Sequence, residues 1–195
     1  MDYEKKELEQ ITSINKDAAV KAAEALEQMI FKKVRVEYQD IAITPVDTVN
    51  KIKEDSVIAI CKVSGDVEGN ILLLYNKEEC LNLLEILTGA EKNTIADMNE
   101  DATSAFKELV NIIGGVYLSS IANTLDMSIF PEPPKFIGEI QQIKQELSFE
   151  LEQVADEIMS VDTELVVDEF PLEGHLFIIL ESASLKKMLQ AMKSK

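Results

Sequence analysis

The first thirty residues carry an apolar repeat that is typical of a helix. Apolar side chains recur there at steps of three and four, with Lys and Glu between them, at Leu8, Ile11, Ile14, Ala18, Ala22, Leu26 and Ile30. This spacing places them on one face of a helix with about 3.6 residues per turn. Residues 33–38 then alternate between apolar and polar side chains, which predicts a strand after the helix.

Two apolar strands and a short helix are predicted next. Residues 56–64 and 69–75 are largely apolar, and the second run is continuous enough to suit a buried strand. Asn76 is a predicted N-cap, and Glu79 stands three residues on as its capping-box partner. We expect the helix that they begin to end near Gly89, since glycine is favoured just after a helix.

The second half of the chain repeats this order. Asn99 is a predicted N-cap for a long helix that extends to about Leu125. Three prolines, at 131, 133 and 134, then interrupt helix and central strand alike, because each lacks a backbone N–H. The remaining predicted elements are a helix at 136–156, a strand at 158–168, a strand at 174–180 and an amphipathic helix at 184–195.

Two stretches of the first half align with stretches of the second. Residues 67–74 match residues 172–179 at an offset of 105, and residues 8–14 match residues 106–112 at an offset of 98. The order of the predicted elements is also the same in both halves. The sequence therefore predicts an internal duplication.

The duplication does not divide the chain into separate domains. Residues 90–99 contain no linker rich in Gly, Ser or Pro, and a length of 195 residues fits one domain. We predict one domain made of two pseudo-repeats, at about 1–96 and 97–195.

The charge balance excludes several classes of partner. With 19 Lys and Arg against 36 Asp and Glu, the formal charge is −17, and no basic stripe is present to bind nucleic acid or an anionic membrane. No apolar run reaches the roughly eighteen residues that a membrane-spanning helix needs. The charged first residues do not resemble a signal peptide, so we expect a cytoplasmic protein.

Cysteine and histidine are too few to build a zinc site or a histidine-based triad. Cys61 and Cys80 lie among apolar residues and are predicted to be buried free thiols, whereas a disulfide between them has no support. His175, the only histidine, is predicted to be a partly exposed strand residue rather than a ligand or a base.

The predicted long helix of the second half carries a narrow polar stripe. Ser104, Glu108, Asn111 and Gly115 stand at positions i, i+4, i+7 and i+11, which fall on one side of a helix. A separate apolar face is predicted to enter the core through Ala105, Leu109, Ile112, Val116 and Ile121. The stripe should therefore be exposed, with a carboxylate and an amide one turn apart.

Several residues of this helix are poor helix formers. Gly114 and Gly115 together cost about 2 kcal/mol relative to two alanines, and asparagine competes for backbone hydrogen bonds within a helix. Close approach by another surface would explain why such residues stand there. Ordinary solvated side chains remain the alternative, because exposed carboxylates are the norm.

A longer pattern resembles a known signature. The string Ser104-x3-Glu108-x2-Asn111, followed after 22 intervening residues by Pro134, resembles that of the CheC/CheX/FliY phosphatases of bacterial and archaeal chemotaxis. Residues 108–118 are similar to the active helix of that family. The predicted hairpin that includes residues 65–75 and the duplicated order of elements are also similar, and the length and paired long helices resemble CheC within the family.

The resemblance implies a fold and an activity. The fold would be α/β (α+β), a single pseudo-twofold duplicated domain with an antiparallel sheet flanked by two long signature helices. The activity would be hydrolysis of the aspartyl phosphate on the response regulator CheY. No cofactor of the chain's own is implied, and the Mg²⁺ would be held by the receiver domain of the partner.

The resemblance also implies roles for the residues of the stripe. Asn111 would orient the attacking water, and Glu108 would pair with a lysine of the receiver domain. Ser104 and Gly115 would contact the substrate protein, and Pro134 would be structural. The i, i+3 spacing places the Glu108 carboxylate and the Asn111 amide on the same helix face, so both roles are geometrically feasible.

The first half departs from the family pattern, in which a second Glu-x2-Asn pair often occurs. At an offset of 98 the aligned residues are Gln10 and Ser13, with Lys6 aligned to Ser104. Glutamine cannot form the ion pair, so this site is predicted to be inactive or much weaker. A shifted alignment that uses Asn15 breaks the apolar phase of the helix.

Two alternatives come from other classes of function. CheC proteins also bind the receptor deamidase CheD, so a chain with one degenerate site could act as a non-enzymatic adaptor of that partner. The flagellar-switch protein FliM shares the implied fold, but retention of Glu108 and Asn111 favours a phosphatase.

Overall fold

The computed structural model describes residues 5–38, 42–44, 55–89, 100–137, 145, 158–167 and 172–193. In chain order the elements are α1 (Lys5–Ile30), β1 (Val34–Tyr38), β2 (Ala42–Thr44), β3 (Ser56–Gly65), β4 (Gly69–Asn76), α2 (Lys77–Thr88), α3 (Glu100–Leu125), β5 (Ile129–Pro131), β6 (Lys135–Ile137), β7 (Ile158–Val167), β8 (Leu172–Leu180) and α4 (Ser182–Lys193).

Local sequence signals set the ends of α2 as predicted. The Asn76 side chain accepts a hydrogen bond from the backbone N–H of Glu79 at 2.8 Å, and the Glu79 carboxylate accepts one from the backbone N–H of Asn76 at 2.9 Å. Gly89 ends the helix in the left-handed conformation with a φ of 67°. The capping box and the glycine stop are both confirmed.

The prediction of a helix from residue 136 is wrong at its start. Phe136 and Ile137 belong to β6, where they pair with Ala59 and Ile58 of β3. Pairing with a buried strand overrides a helical apolar spacing, because the spacing shows only that the residues need burial. Apart from Gln145, which is helical, the rest of this predicted helix lies outside the described residues, as does Asn99.

The described strands form an eight-stranded sheet in which every pair is antiparallel, and the strand order is β1-β7-β8-β4-β3-β5. The outer strands of each repeat pair with a strand of the other repeat. Strands β1 and β2 pair with β7, while β5 and β6 pair with β3. The predicted α+β fold with an antiparallel sheet is confirmed, and the two repeats interlock within this sheet.

A pseudo-twofold axis passes through the centre of the sheet, between β4 and β8. In their register Leu72 faces Phe177, and these two residues are 105 positions apart. A residue that pairs with its own repeat counterpart marks the axis. The helices that follow, α2 and α4, also begin and end 105 positions apart, so the predicted offset of 105 is confirmed.

The long helices and the strands after them follow a different offset. Both α1 and α3 end in a residue with left-handed φ, Phe31 at 54° and Asp126 at 56°, which are 95 positions apart. The strands β1 and β5 begin at Val34 and Ile129, also 95 apart. The predicted offset of 98 is therefore wrong by three residues. Three residues turn a helix by about 300°, so the apolar faces nearly coincide at both offsets.

One face of the sheet packs against the helices and forms the main core. Alternate residues of the central strands point to this side, and the long helices cover it with the buried residues Ile11, Ala18, Ala19, Ala22, Leu26, Phe106, Leu109, Ile113, Tyr117 and Ile121. Phe106 makes edge-to-face contacts with Tyr75 and Phe136, at centroid distances of 6.1 and 5.4 Å. These aromatic contacts fix the first half of α3 to β4 and β6.

A buried hydrogen bond joins α1 to α3. The hydroxyl of Tyr117 donates to the side-chain oxygen of Asn15, and the Asn15 amide donates to the carbonyl of Ile11 at 2.8 Å. Both side chains are almost fully buried. The two polar groups therefore satisfy each other in the core.

We expect Tyr117→Phe to lower the free energy of unfolding by about 1–3 kcal/mol, because it leaves the buried Asn15 oxygen without its donor. Tyr75→Phe is the matched control, since the Tyr75 hydroxyl is buried and has no hydrogen-bond partner among the described residues. Its removal should leave stability unchanged or raise it. Urea unfolding monitored by circular dichroism measures both variants, and equal losses would contradict the assignment.

The two cysteines are buried free thiols, as predicted. Burial raises the pKa of Cys61 to about 11 and that of Cys80 to about 12. The Cys61 thiol also donates to the carbonyl of Glu132 at 2.9 Å, which links β3 to the connector between β5 and β6.

At pH 8 both thiols should stay protonated in the folded chain and react slowly with Ellman's reagent, since the thiolate is the nucleophile. Unfolding in urea removes the burial that raises both pKa values, so two thiols should then react quickly. Reaction of either thiol at the unfolded rate in the native chain would show that its site is open.

Candidate functional site

The predicted stripe lies on the outer side of α3. Ser104, Glu108 and Asn111 are exposed, and Gly115 is half-buried. The stripe spans about 16 Å along the helix, and Glu108 and Asn111 are about 4.5 Å apart in rise. Because Phe106 on the opposite side is anchored to the sheet, the carboxylate and the amide are presented to solvent by a fixed helix.

The core face of α3 differs in part from the prediction. Leu109 and Ile121 are buried, but Ala105, Ile112 and Val116 are only half-buried. The centre of the core face is formed instead by Phe106, Val110, Ile113, Gly114 and Tyr117. The predicted line therefore lies to one side of the true core face, and two of its residues, Ile112 and Val116, line a groove beside α1.

The paired glycines are not required by packing inside the chain. A Cβ at Gly114 would meet the Cδ1 of Ile71 at 3.8 Å, which is an ordinary contact. A Cβ at Gly115 would have no neighbour within 4 Å among the described residues. Neither glycine has a positive φ. The predicted close approach of another surface at Gly115 stays a prediction.

A groove of about 460 Å³ runs between α1 and α3 beside the stripe. Lys21 contributes from α1, and the other lining residues are Asn111, Ile112, Gly115, Val116, Ser119, Ser120 and Asn123. Sequence reasoning missed Lys21, Ser119, Ser120 and Asn123. Ser119 and Asn123 continue from Gly115 in steps of four, so the spacing already contained this signal.

Lys21 reaches across the groove to α3. Its Nζ donates to the hydroxyl of Ser120 at 3.1 Å, and Ser120 is buried. The bond joins residues 99 positions apart in sequence. No local pattern could have predicted it, because it depends on how the two repeats pack.

The offset of 95 changes the counterparts of the stripe on α1. Glu108 corresponds to Ser13 and Asn111 to Lys16, not to Gln10 and Ser13, as the offset of 98 had it. Ser104 and Gly115 correspond to Glu9 and Val20 rather than to Lys6 and Asp17. Glu9 and Val20 are both exposed.

Neither the carboxylate nor the amide of the stripe stands at these corrected positions. Ser13 and Lys16 are both exposed on α1, in the same setting as Glu108 and Asn111 on α3. Serine cannot form an ion pair with a lysine, and Lys16 brings a positive charge where the other repeat has a neutral amide. The carboxylate and amide pair is therefore present on α3 and not on α1.

Two other sequence-predicted residues have defined places. Asn15 is buried against Tyr117, so the shifted alignment that uses it cannot form a surface site. Pro134 is half-buried in the connector between β5 and β6, two residues from Phe136. The backbone N–H of Glu132 in this connector bonds to the Lys62 carbonyl at 2.8 Å.

Within the described residues, no group of three or more His, Cys, Asp or Glu side chains could hold a metal ion. His175 is half-buried and stacks on Phe177 at a centroid distance of 6.0 Å. None of the described helices combines the length and the apolar character needed to cross a membrane.

The comparisons with known proteins find chemotaxis phosphatases. The sequence profile of the family "Chemotaxis phosphatase CheX" matches residues 57–153, which include Glu108, Asn111 and Pro134. The CheY-P phosphatase CheC of Bacillus subtilis (strain 168) is 23% identical over 180 residues, which cover 88% of this chain and 86% of that protein. These similarities support the CheC/CheX/FliY family, which the stripe resembles.

Solved structures show the same fold in this family. The crystal structure of Thermotoga maritima FliY matches with a TM-score of 0.76 at 17% identity and covers 100% of both chains. The CheX–CheY–BeF3–Mg complex from Borrelia burgdorferi matches with a TM-score of 0.61 at 18% identity, covering 87% of this chain and 97% of that one. The resemblance first found in the stripe thus extends over the whole fold.

Proposed function

We propose that this CheC-like chain is a phosphatase that hydrolyses the aspartyl phosphate of the response regulator CheY. The observation that carries the proposal is the exposed pair Glu108 and Asn111, one turn apart on a helix held by the core. The similarity to the Bacillus subtilis protein, which is named as a CheY-P phosphatase, supports it.

The reaction asks little covalent chemistry of the enzyme. Water attacks the phosphorus, the bond to the aspartate oxygen breaks, and a carboxylate and inorganic phosphate leave. Because the leaving carboxylate needs no proton, catalysis depends on placing the water in line. The Asn111 amide can hydrogen-bond that water through both its oxygen and its NH₂ group.

Glu108 would hold the receiver domain in register by pairing with a lysine beside its phosphorylated aspartate. Ser104 and Gly115, at the two ends of the stripe, would contact the receiver surface, and Pro134 has a structural role in its connector. The Borrelia burgdorferi complex contains Mg²⁺ with CheX and CheY. We propose that here too the metal belongs to the receiver domain, so Glu108 is left to bind the lysine.

A non-enzymatic role is the alternative. The chain would then act as an adaptor of the receptor deamidase CheD. A measurement of CheY-phosphate decay separates the two roles, because an adaptor leaves the decay rate at its intrinsic value.

We expect Asn111→Ala to reduce the acceleration of phosphate loss from radiolabelled CheY by about 100-fold at saturating enzyme, because the water loses its orienting group. Glu108→Gln should raise the KM for phosphorylated CheY. Lys16→Ala is the matched control on α1 and should change little, as should Gln10→Ala. Wild-type protein that leaves the decay unchanged would exclude the phosphatase role.

Gly115→Ala should stabilise the chain and weaken the activity together. An alanine in mid-helix adds about 0.5–1 kcal/mol over glycine, while its methyl group stands where the receiver would dock. Gly114→Ala is the control, since its methyl group faces Ile71 inside the chain and should stabilise without a rise in KM. Equal KM values for the two variants would exclude a contact at Gly115.

A further inference from the structure

We infer that the groove between α1 and α3 is a second docking surface for the receiver domain, on which Lys21 pairs with a carboxylate at the rim of that domain. The inference rests on the proposed function and adds a contact contributed by the other repeat. Its partner chemistry is an acidic side chain beside, not at, the phosphorylated aspartate.

The groove is continuous with the proposed catalytic stripe. Asn111 and Gly115 belong to both, and the groove extends from them toward Ser119 and Asn123. Ser120, which holds the ammonium group of Lys21, lies nine residues after Asn111, a rise of about 14 Å. A domain seated on Asn111 therefore covers the groove as well, but Lys21 is too far along the helix to act on the phosphoryl group.

Charge favours a carboxylate as the group that Lys21 meets. This chain has a formal charge of −17, and a receiver domain that binds Mg²⁺ does so through carboxylates and phosphate. Two acidic surfaces repel each other unless a cation stands between them. Among the described residues that line the groove, Lys21 is the one cationic side chain.

The ammonium group is held in position before docking. Lys21 bonds to Ser120 on α3 across the groove, although Asp17 and Glu24 stand four residues before it and three after it on α1. A lysine already extended over the groove loses less rotamer entropy when a partner arrives.

The pseudo-twofold provides an internal control for this arrangement. At the offset of 95, Lys21 corresponds to Val116 and Ser120 corresponds to Ala25, so the symmetry-related pair of positions is apolar. The cation and its hydroxyl therefore have no counterpart at the related positions, and they lie in the groove that Asn111 also lines. A bond that served only to join the two helices would have no reason to lie beside Glu108 and Asn111.

The test is the binding of a CheY receiver domain activated with beryllofluoride and Mg²⁺, measured by fluorescence titration at two salt concentrations. We expect Lys21→Gln to weaken binding about two- to fivefold, and Lys21→Glu more. Binding by Lys21→Gln should also depend less on salt, and Lys21→Arg should restore wild-type affinity. In the decay assay the KM should rise while kcat is unchanged.

Lys186→Gln is the matched control, since it removes the same charge from an exposed position on α4. Wild-type affinity in Lys21→Gln, or an equal loss in Lys186→Gln, would overturn the inference. Circular dichroism of each variant excludes a loss of fold as the cause. The binding titration involves no turnover, so its result does not depend on the decay assay of Asn111→Ala. Full phosphatase activity of Asn111→Ala would refute the proposed function, whereas the Lys21 titration tests only the groove contact.

Discussion

The antiparallel pairing of β4 with β8 is the interaction on which the rest of the molecule depends. It places the twofold axis between Leu72 and Phe177 and joins the two repeats in one sheet. The axis brings α1 and α3 side by side, where Asn15 and Tyr117 lock them together inside the core. The stripe and the groove are both formed by this pair of helices. Because the pairing of β4 with β8 sets how the two helices lie side by side, it also sets the geometry of the candidate site.

Much of this arrangement could be predicted from local sequence. The capping box at Asn76 and the stripe that begins at Ser104 each depend on residues three or four positions apart. Such residues are neighbours on one turn of a helix, so their contact can be predicted from spacing alone. The offset between the two long helices was harder to predict. An alignment shifted by three residues still matches apolar positions with apolar positions, so the pattern does not separate 95 from 98. Phe136 and Lys21 could not be placed, because strand pairing and contact across the repeats depend on residues far along the chain.

The two long helices show what a duplication can change while the core is kept. Their inward faces have the same periodic burial and both end in a left-handed residue. Their outward faces have diverged: one carries Glu108 and Asn111, and the other carries Ser13 and Lys16. Packing constrains the first set of positions and leaves the second free, so specialisation of one repeat needed no change in the fold. The repeat without this carboxylate and amide pair still supports the candidate site, because α1 packs against α3 and is hydrogen-bonded to it.

The position of the axis between β4 and β8 also bears on how a single repeat would assemble. A single repeat would end at a fully apolar edge strand, from Ile71 to Tyr75, and would lack the outer strands that the other repeat provides. Such an edge recruits another strand, and here the best template is a second copy of itself with Leu72 opposite Leu72. The register is therefore the one that a self-pairing homodimer of a single repeat would adopt, and the exposed apolar edge favours such pairing when one half is expressed alone.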